Sequence, residues 1–312
     1  WVQMGADIDG ERSGDFFGNS VALSADGNTL AVGSPYNDGS ANNAGHARVF
    51  RWNESSWVKQ GMDIDGETAD DRFGESVALS ANGKRIAIGA WLNDGTGLDA
   101  GHARVYAWDG TTWMQAGADG DGEAAGDLSG FSVSLSADGS RLAVGAIHNN
   151  GSAFGAGQVR IFDWVDSTWI QIGSDIDGES QYDEFGYPVN LSADGITLAA
   201  GAIRNTEGGH ECGNVRVFSL PGLTTSIDPL GIQTSEVSLY PNPVYAKTHL
   251  LFPLKSPGLV RVSIYNQIGQ KLIEQSHTGI MGENSMDLNV SNLTPGIYQV
   301  NLLFKGYVLS KK

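Results

Sequence analysis

Trp1-Val-Gln-Met-Gly5, Trp57-Val-Lys-Gln-Gly61, Trp113-Met-Gln-Ala-Gly117 and Trp169-Ile-Gln-Ile-Gly173 open four successive copies of one pattern, each 56 residues after the last. A fixed period of that size belongs to modular arrays, whose units bury their apolar faces only against one another. Whatever all four units share is therefore expected to be architecture. Function is to be sought where they differ, or outside them.

The chain is rich in glycine (43 residues) and has no helical run of charged and apolar residues, which suits an all-β protein with many tight turns. Its net charge of −17 is uneven: residues 1–222 hold 31 acidic against 12 basic side chains, whereas 223–312 hold 5 against 7. An acidic array lacks the basic patch that phosphate neutralisation requires, so no nucleic-acid partner is expected. The lone Cys212 rules out an intrachain disulfide and any paired-cysteine metal or redox motif. No stretch approaches the roughly 18 apolar residues of a transmembrane helix, so no transmembrane segment is expected. The sequence does not begin with Met, shows no signal peptide and starts in phase with a repeat, so a fragment or a processed form is expected.

Within the first repeat, Ser20-Val-Ala-Leu-Ser24 alternates as a half-buried strand and Thr29-Leu-Ala-Val-Gly33 returns as an apolar one. Asp26-Gly27 between them, repeated as Asn82-Gly83, Asp138-Gly139 and Asp194-Gly195, predicts a two-residue hairpin. After a variable loop of about ten residues, His46–Trp52 and Trp57-Val-Lys-Gln60 supply two further strands. Four antiparallel strands per unit describe a propeller blade. Gly33, Gly89, Gly145 and Gly201 interrupt the second strand at one equivalent place, which predicts a close backbone approach there. The repeat boundaries are 1–56, 57–112, 113–168 and 169–220, within one array spanning 1–220.

Asp15-Phe-Phe-Gly18-Asn-Ser-Val, Asp71-Arg-Phe-Gly74-Glu-Ser-Val and Asp183-Glu-Phe-Gly186, with Ala31-Val-Gly33-Ser-Pro35 and Ala87-Ile-Gly89-Ala, resemble FG-GAP repeats. The resemblance covers 1–222 and implies an integrin-type β-propeller, commonly of seven blades. The third repeat departs from it with Ser129-Gly130. The calcium loop of such blades is shortened here to the Asp/Asn-Gly turn. Because Trp1-Val-Gln-Met opens the chain as an outer strand, either four blades close by borrowing that strand or the array is part of a larger ring.

A second acidic run precedes each Phe-Gly: Asp7, Asp9, Glu11 and Asp15; Asp63, Asp65, Glu67 and Asp71; Asp119, Asp121, Glu123 and Asp127; Asp175, Asp177, Glu179 and Asp183. One reading has these carboxylates capping turns or pairing with the repeated Arg48, Arg104, Arg160 and Arg216. The other takes alternate oxygen ligands as a calcium loop, although the glycine sits irregularly for one. One arginine per unit at a fixed strand position suggests blade-to-blade ion pairs. His46 and His102 share their position with Gln158 and Asn214 and read as polar strand residues; periodic Trp52, Trp108 and Trp164 read as inter-blade packing. No nucleophile elbow, phosphate loop or zinc-protease helix is present, and no enzyme is expected.

After Phe218 the pattern stops. Residues 221–236 read as a linker, and 237–312 contain about seven short strand patterns, expected to form an Ig-like β-sandwich. Tyr240-Pro241-Asn242-Pro243, Ile264-Tyr-Asn-x-x-Gly269-Gln-Lys271, Leu293-x-Pro295-Gly296-Ile297-Tyr298 and terminal Lys311-Lys312 occur in the order of the type IX secretion sorting domain of Bacteroidetes, which this segment resembles. That resemblance implies recognition by the type IX secretion machinery and a secreted or outer-membrane-attached protein. The expected function is binding or adhesion to an unknown glycan or protein ligand, with Tyr36 and Trp91 of the variable loops as candidate contacts. A secreted hydrolase or enzyme accessory with catalytic residues elsewhere, and a structural surface-layer component, are the alternatives.

Overall fold

The computed structural model describes residues 1–220, 237–241, 247–254, 257–266, 271–294, 296, 298–304 and 307–311. The chain divides into two compact units, Trp1–Leu223 and Thr224–Lys312, and every regular element among the described residues is a β-strand.

In the first unit the strands form four antiparallel sheets in series. The first contains β1 (Ser20–Leu23), β2 (Thr29–Ser34), β3 (His46–Trp52), β4 (Trp57–Lys59) and the two-residue β5 (Ile64–Asp65), which pairs with β3 beyond β4. The second repeats this with β6 (Ser76–Leu79), β7 (Arg85–Ala90), β8 (His102–Trp108), β9 (Trp113–Gln115) and β10 (Gly120–Asp121). The third comprises β11 (Ser129–Leu135), β12 (Arg141–Ala146), β13 (Gln158–Val165), β14 (Thr168–Gln171) and β15 (Ile176–Asp177). The fourth has three strands, β16 (Phe185–Leu191), β17 (Thr197–Ala202) and β18 (Asn214–Ser219). Each of the first three sheets thus straddles a repeat boundary, because the tryptophan strand opening one repeat completes the sheet of the repeat before it.

The core lies between sheets. Ala31, Ala47, Val49 and Ile64 of the first sheet pack on Ile86, Ile88 and Ala90 of the second and on Phe73, which lies just before it. The same register recurs between the second and third sheets, where Ala103 and Val105 meet Val133 and Leu142, and between the third and fourth, where Val159 and Ile161 meet Val189 and Leu198. A side chain such as Phe73, fully buried at 0 % exposure, contributes about 1.5–3 kcal/mol by leaving water.

That packing needs the sheets to come close, and the strand-two glycines provide the room. A Cβ on Gly33 would stand 2.0 Å from the carbonyl oxygen of Gly74. On Gly89 it would meet the Gly130 oxygen at 1.8 Å, and on Gly145 the Gly186 oxygen at 2.1 Å. The glycine of each Phe-Gly pair, and of Ser129-Gly130 in the third repeat, reaches that position in the left-handed region, with φ between 84° and 104° at Gly74, Gly130 and Gly186. Both glycines of the repeat therefore serve one contact. The serine beside them fixes it: Ser20 and Ser76 donate to the Gly74 and Gly130 oxygens at 2.8 Å.

Two further rows stitch the sheets. The turn joining the first two strands of each sheet is a five-residue loop rather than the two-residue hairpin expected. Gly27 N donates to Ser24 O at 2.9 Å, and Asp26 takes Ser24 Oγ and Asn28 N. The loop is widened because Ala25 turns its backbone outward: Ala25 N donates to Ala81 O, Ala81 N to Ala137 O and Ala137 N to Ala193 O, at 2.7–2.9 Å. On the other side, tryptophans face each other across the third and fourth strands of a sheet. Trp113 Nε1 reaches back to Gln60 O at 2.9 Å and Trp169 Nε1 to Ala116 O at 2.9 Å; of the tryptophans expected to pack between blades, Trp164 lies under Arg85 of the preceding sheet at 4.9 Å.

Closure of four blades by the N-terminal strand is not found. Trp1-Val-Gln-Met is not a strand, Trp1 and Val2 are fully exposed, and β18 pairs with β17 alone. Correspondingly, Val215 and Val217 on β18 are 69 % and 66 % exposed where Val159 and Ile161 are buried. Val21 and Leu23 on β1 are exposed where Val133 and Leu135 are buried. The N-terminal residues Met4 and Ile8 line, with Phe17, Val21 and Leu30, an open hollow on that first face.

The second unit has two antiparallel sheets, β19 (Ser238–Tyr240), β20 (Lys247–Leu254) and β23 (Gly282–Asn289) in one, and β21 (Gly258–Tyr265), β22 (Lys271–Gly279), β24 (Gln299–Phe304) and β25 (Tyr307–Lys311) in the other. Alternating residues of both sheets, among them Leu250, Phe252, Val260, Val262, Leu288 and Leu302, share one core. The linker 221–236 lies outside the described residues.

Two predictions follow from the sheet contacts. Gly89→Ala should destabilise the first unit by about 3 kcal/mol or more, the upper range for one substitution, read as a lowered midpoint in denaturant. Asp26 is held down to about 2 by the Ser24 hydroxyl and the Asn28 N–H, and Asp194 is likewise lowered by Ser192 and Ile196. Such depressed carboxyls stabilise the fold above the ordinary carboxylate value of 3.8 and lose that contribution as pH falls towards 2. Asn82 fills the same turn without a charge, accepting from Ser80 Oγ and Lys84 N at 2.9 Å. Asp26→Asn/Asp194→Asn should therefore melt with a shallower loss between pH 4 and pH 2 than the parent.

Candidate functional site

The start of the first strand, the end of the second and the start of the third lie along one edge of every sheet. There the repeat fixes the backbone and leaves the side chains free to differ. Asp15, Asp71, Asp127 and Asp183 are buried and tie the edge together. Asp127 accepts from Ala124 N and from Asn149 Nδ2 at 3.0 Å; Asp183 accepts from Ser180 N and Asn205 Nδ2; Asp15 accepts from Arg12 N and Asn37 Nδ2; Asp71 accepts from Thr68 N and Oγ1. Asn149 in turn accepts from Gly151 N at 2.8 Å. The loop asparagines are thus buried struts rather than ligand contacts.

The residue after each of these aspartates is Phe16, Arg72, Leu128 or Glu184, and all four sit in the left-handed region with φ of 53–61°. A non-glycine residue there costs roughly 1–2 kcal/mol. Four unlike side chains are held in that conformation along the edge. Phe16 packs on Tyr36 at 4.8 Å between ring centroids, and the Arg72 guanidinium stacks over the same Tyr36 ring at 3.9 Å. Glu184 accepts an ion pair from Arg204 at 3.0 Å and lies 3.8 Å from His148. Between these groups Trp91, Phe131 and Tyr187 form a row, with centroids 5.3 and 4.9 Å apart, and Phe154 faces Tyr182 at 5.4 Å. Phe16, Tyr36, Phe154, Tyr182 and Tyr187 are exposed. Of the two residues expected to contact ligand, Tyr36 is an exposed platform, whereas Trp91 is packed edge-on against Phe131 with its Nε1 buried and unpartnered.

The acidic runs are distributed differently from a calcium loop. Among the described residues, no three carboxylates of one run converge. The reason is the division of labour just described: the last aspartate folds inward to cap its own loop, while the others face the neighbouring β3-type strand. Asp7 and Asp175 accept from Gln3 and Gln171. Glu11 pairs with Arg48, which also pairs with Asp63 of the next run at 3.0 Å; Glu67 pairs with Arg104, which also pairs with Asp119 at 2.7 Å. Arg216 pairs with Glu179 and donates to the Asp177 carbonyl, Arg160 donates to the Asp121 carbonyl, and Glu123 accepts from Gln158 at 2.9 Å. Arg48 and Arg104 therefore bridge consecutive repeats, while Arg160 and Arg216 join their sheet to the one before it within a single repeat. Asp9 is exposed.

Burial raises the carboxyls of Asp65, Asp121 and Asp177. At Asp63 and Asp119 burial acts in the same direction but is outweighed by the arginine and its companion donors, so both are lowered. Burial, then the Arg104 charge, lowers His102 to about 4, so its imidazole is neutral at neutral pH. Two groups combine these parts, Glu11–His46–Asp63 and Glu67–His102–Asp119, each with its ligating atoms within 4.8 Å of one another. The sequence signal for them was the shared His46/His102 position, which was read as mere strand polarity.

Of the sorting motif, Tyr240 is exposed, the Pro241 carbonyl accepts from Thr248 Oγ1 at 3.1 Å, and the Tyr298 hydroxyl donates to Thr294 O. Gly296 packs near Tyr298. Asn242, Pro243, Pro295, Ile297 and Lys312, and the side chain of Lys311, lie outside the described residues.

Comparison with known proteins fits both units. Residues 8–50 and 63–106 match the FG-GAP repeat, and residues 238–312 match the secretion system C-terminal sorting domain. The chain carries FG-GAP repeats and ends in a sorting domain. That domain implies recognition by the type IX secretion machinery, and it marks a secreted, cell-surface-attached protein. No helix among the described residues is long and apolar enough to cross a membrane. Among curated proteins none matches the chain.

Several solved structures are similar at low identity. The β-propeller domain of the Trilobed protease from Pyrococcus furiosus is 9 % identical, with 93 % of this chain and 80 % of that one covered and a TM-score of 0.39. AofleA from Arthrobotrys oligospora is 11 % identical over 94 % and 85 % of the two chains, with a TM-score of 0.35. An acylaminoacyl peptidase from Pyrococcus horikoshii is 13 % identical over 76 % and 35 %, with a TM-score of 0.35. At such scores these likenesses carry no argument about activity.

The buried struts are testable apart from any ligand. Asn149→Ala leaves Asp127 short of a donor and Gly151 short of an acceptor, and should cost about 1–3 kcal/mol in chemical denaturation.

Proposed function

We propose that this protein is a surface-displayed binding module whose ligand, an extended glycan, lies along the loop edge of the FG-GAP sheets. The observation that carries this reading is the left-handed position that follows each buried aspartate of the edge. Glycine would occupy it without strain, yet Phe16, Arg72, Leu128 and Glu184 stand there in turn. Strain retained at equivalent places with unlike side chains points to use of the side chains themselves. The exposed rings beside them supply stacking faces, and Arg72, His148, Glu184 and Arg204 supply polar contacts along the same line. Binding rather than catalysis is the reading we favour, since Glu184 is already neutralised by Arg204. Further blades of the same kind would fit the exposed end faces, so we read the four sheets as a sector of a larger propeller ring. The two-sheet tail we read as an Ig-like sandwich serving export and attachment.

Phe16→Gly separates folding from binding. Relief of the left-handed strain should leave thermal stability equal or higher, while loss of the Phe16–Tyr36 pair should weaken capture of the best ligand on a glycan and matrix-protein array by about tenfold, the scale of one to a few stacking contacts. Undiminished capture by Phe16→Gly/Tyr36→Ala would rule the edge out. Capture of matrix proteins in place of glycans would retain the edge and replace the ligand class.

A further inference from the structure

On the loop edge, the interface between the first and second sheets holds a group of ligating side chains that the binding reading does not use. His102 opens β8 and is buried, with 1 % of its surface exposed. Its Nδ1 has no hydrogen-bond partner. Asp121 on β10 lies directly opposite it in the antiparallel register, and Nδ1 stands 3.9 Å from Asp121 Oδ1 and 3.9 Å from Asp119 Oδ2. Those separations are too long for hydrogen bonds. Glu67 completes the group, with its carboxylate inside the 4.8 Å that encloses the His102 and Asp119 atoms.

We propose that Glu67, His102 and Asp119 hold a divalent transition-metal ion of the zinc type, with Asp121 beside it. Imidazole nitrogen and carboxylate oxygen bind Zn2+ at about 2.0–2.2 Å, so two atoms on one ion stand at most roughly 4 Å apart. The His102 nitrogen and its two facing oxygens lie at that span. Charge favours a cation there. Glu67, Asp119 and Asp121 bring three negative charges; the Arg104 guanidinium, paired with Glu67 and Asp119, removes one, and the Arg160 guanidinium, which donates to the Asp121 carbonyl, offsets part of the rest. A nitrogen ligand favours a borderline metal over calcium, which takes oxygen ligands alone.

The third repeat shows what the same place does without a nitrogen ligand. Gln158 replaces the histidine and donates its amide to Glu123 at 2.9 Å, so the carboxylate is satisfied directly. His102 makes no such bond: its Nδ1 stays 3.9 Å from both facing oxygens. In the first repeat Glu11, His46 and Asp63 form a second group. There Lys59 also pairs with Asp63, adding a positive charge that the second group lacks. The inference is therefore confined to His102.

Calorimetric titration of the whole protein with Zn2+, alongside Ca2+, tests it. A Cys212→Ser background removes the exposed thiol as a competing ligand. Zn2+ should bind and raise the melting temperature. His102→Gln, the residue that Gln158 already provides in the third repeat, should weaken that binding by at least about tenfold, the scale of losing even an outer partner of such a site. Glu67→Gln, at a half-exposed side chain that cannot collapse the core, should weaken it in the same direction; His46→Gln should leave it unchanged. Absence of Zn2+ binding by the folded parent, or unaltered binding by both His102→Gln and Glu67→Gln, overturns the assignment. A Ca2+ response equal to the Zn2+ response and insensitive to His102→Gln also overturns it.

Discussion

Everything in the first unit depends on a carbonyl oxygen lying against a glycine Cα. Sheets whose strands carry side chains on both faces normally pack about 10 Å apart. Here one point of each interface is drawn to backbone contact, at Gly33 against Gly74, Gly89 against Gly130 and Gly145 against Gly186. The apolar side chains to one side, the alanine turns to another and the tryptophan hooks further out must all accept the separation and tilt that this point imposes. It explains why the third repeat tolerates Ser129 in place of phenylalanine but keeps Gly130: ring volume can be replaced, whereas the room for backbone cannot. Ser129 remains fully buried and lies within 3.3 Å of the Arg160 guanidinium.

The interfaces are also electrostatic joints. Arg48 and Arg104 each take one carboxylate from their own repeat and one from the next, so the acidic excess of the array is placed where it can be shared between units. A buried exception lies at Arg141, whose Nε and Nη2 engage both Asp163 oxygens at 2.6 and 2.8 Å while Nη1 donates to Gly195 of the following turn. Removing one member of such a fully enclosed pair leaves a charge without compensation, which is far costlier than losing an exposed pair.

Much of this was legible in the sequence because the repeat supplies the same statement several times. Strand positions, the function of the strand-two glycines, the inter-unit arginines and the tryptophan packing could be read from periodicity and spacing. What escaped depended on where a side chain turns. Asp15 and Asp9 differ little on paper, yet one is an inward cap and the other is exposed. Asn149 lies in a variable loop, yet its side chain is a buried strut between Asp127 and Gly151. The Asp-Gly hairpin was misjudged because its neighbour Ala25 bonds to another turn 56 residues away, a partner that local turn rules do not contain. Trp1 opens the same motif as Trp57, but residues 1–4 form no strand.

Each sheet in this array is both plug and socket. The face of Val21 and Leu23 on the first sheet and the face of Val215 and Val217 on the fourth are the two halves of the joint made three times between them. A joint of that kind is indifferent to how many units it links. Recombination that gains or loses whole repeats would leave every remaining contact chemically intact, while the unlike residues on the loop edge would be reshuffled against one another. Such a scaffold lets the recognition surface change by rearrangement of existing units, without waiting for new core residues to be found.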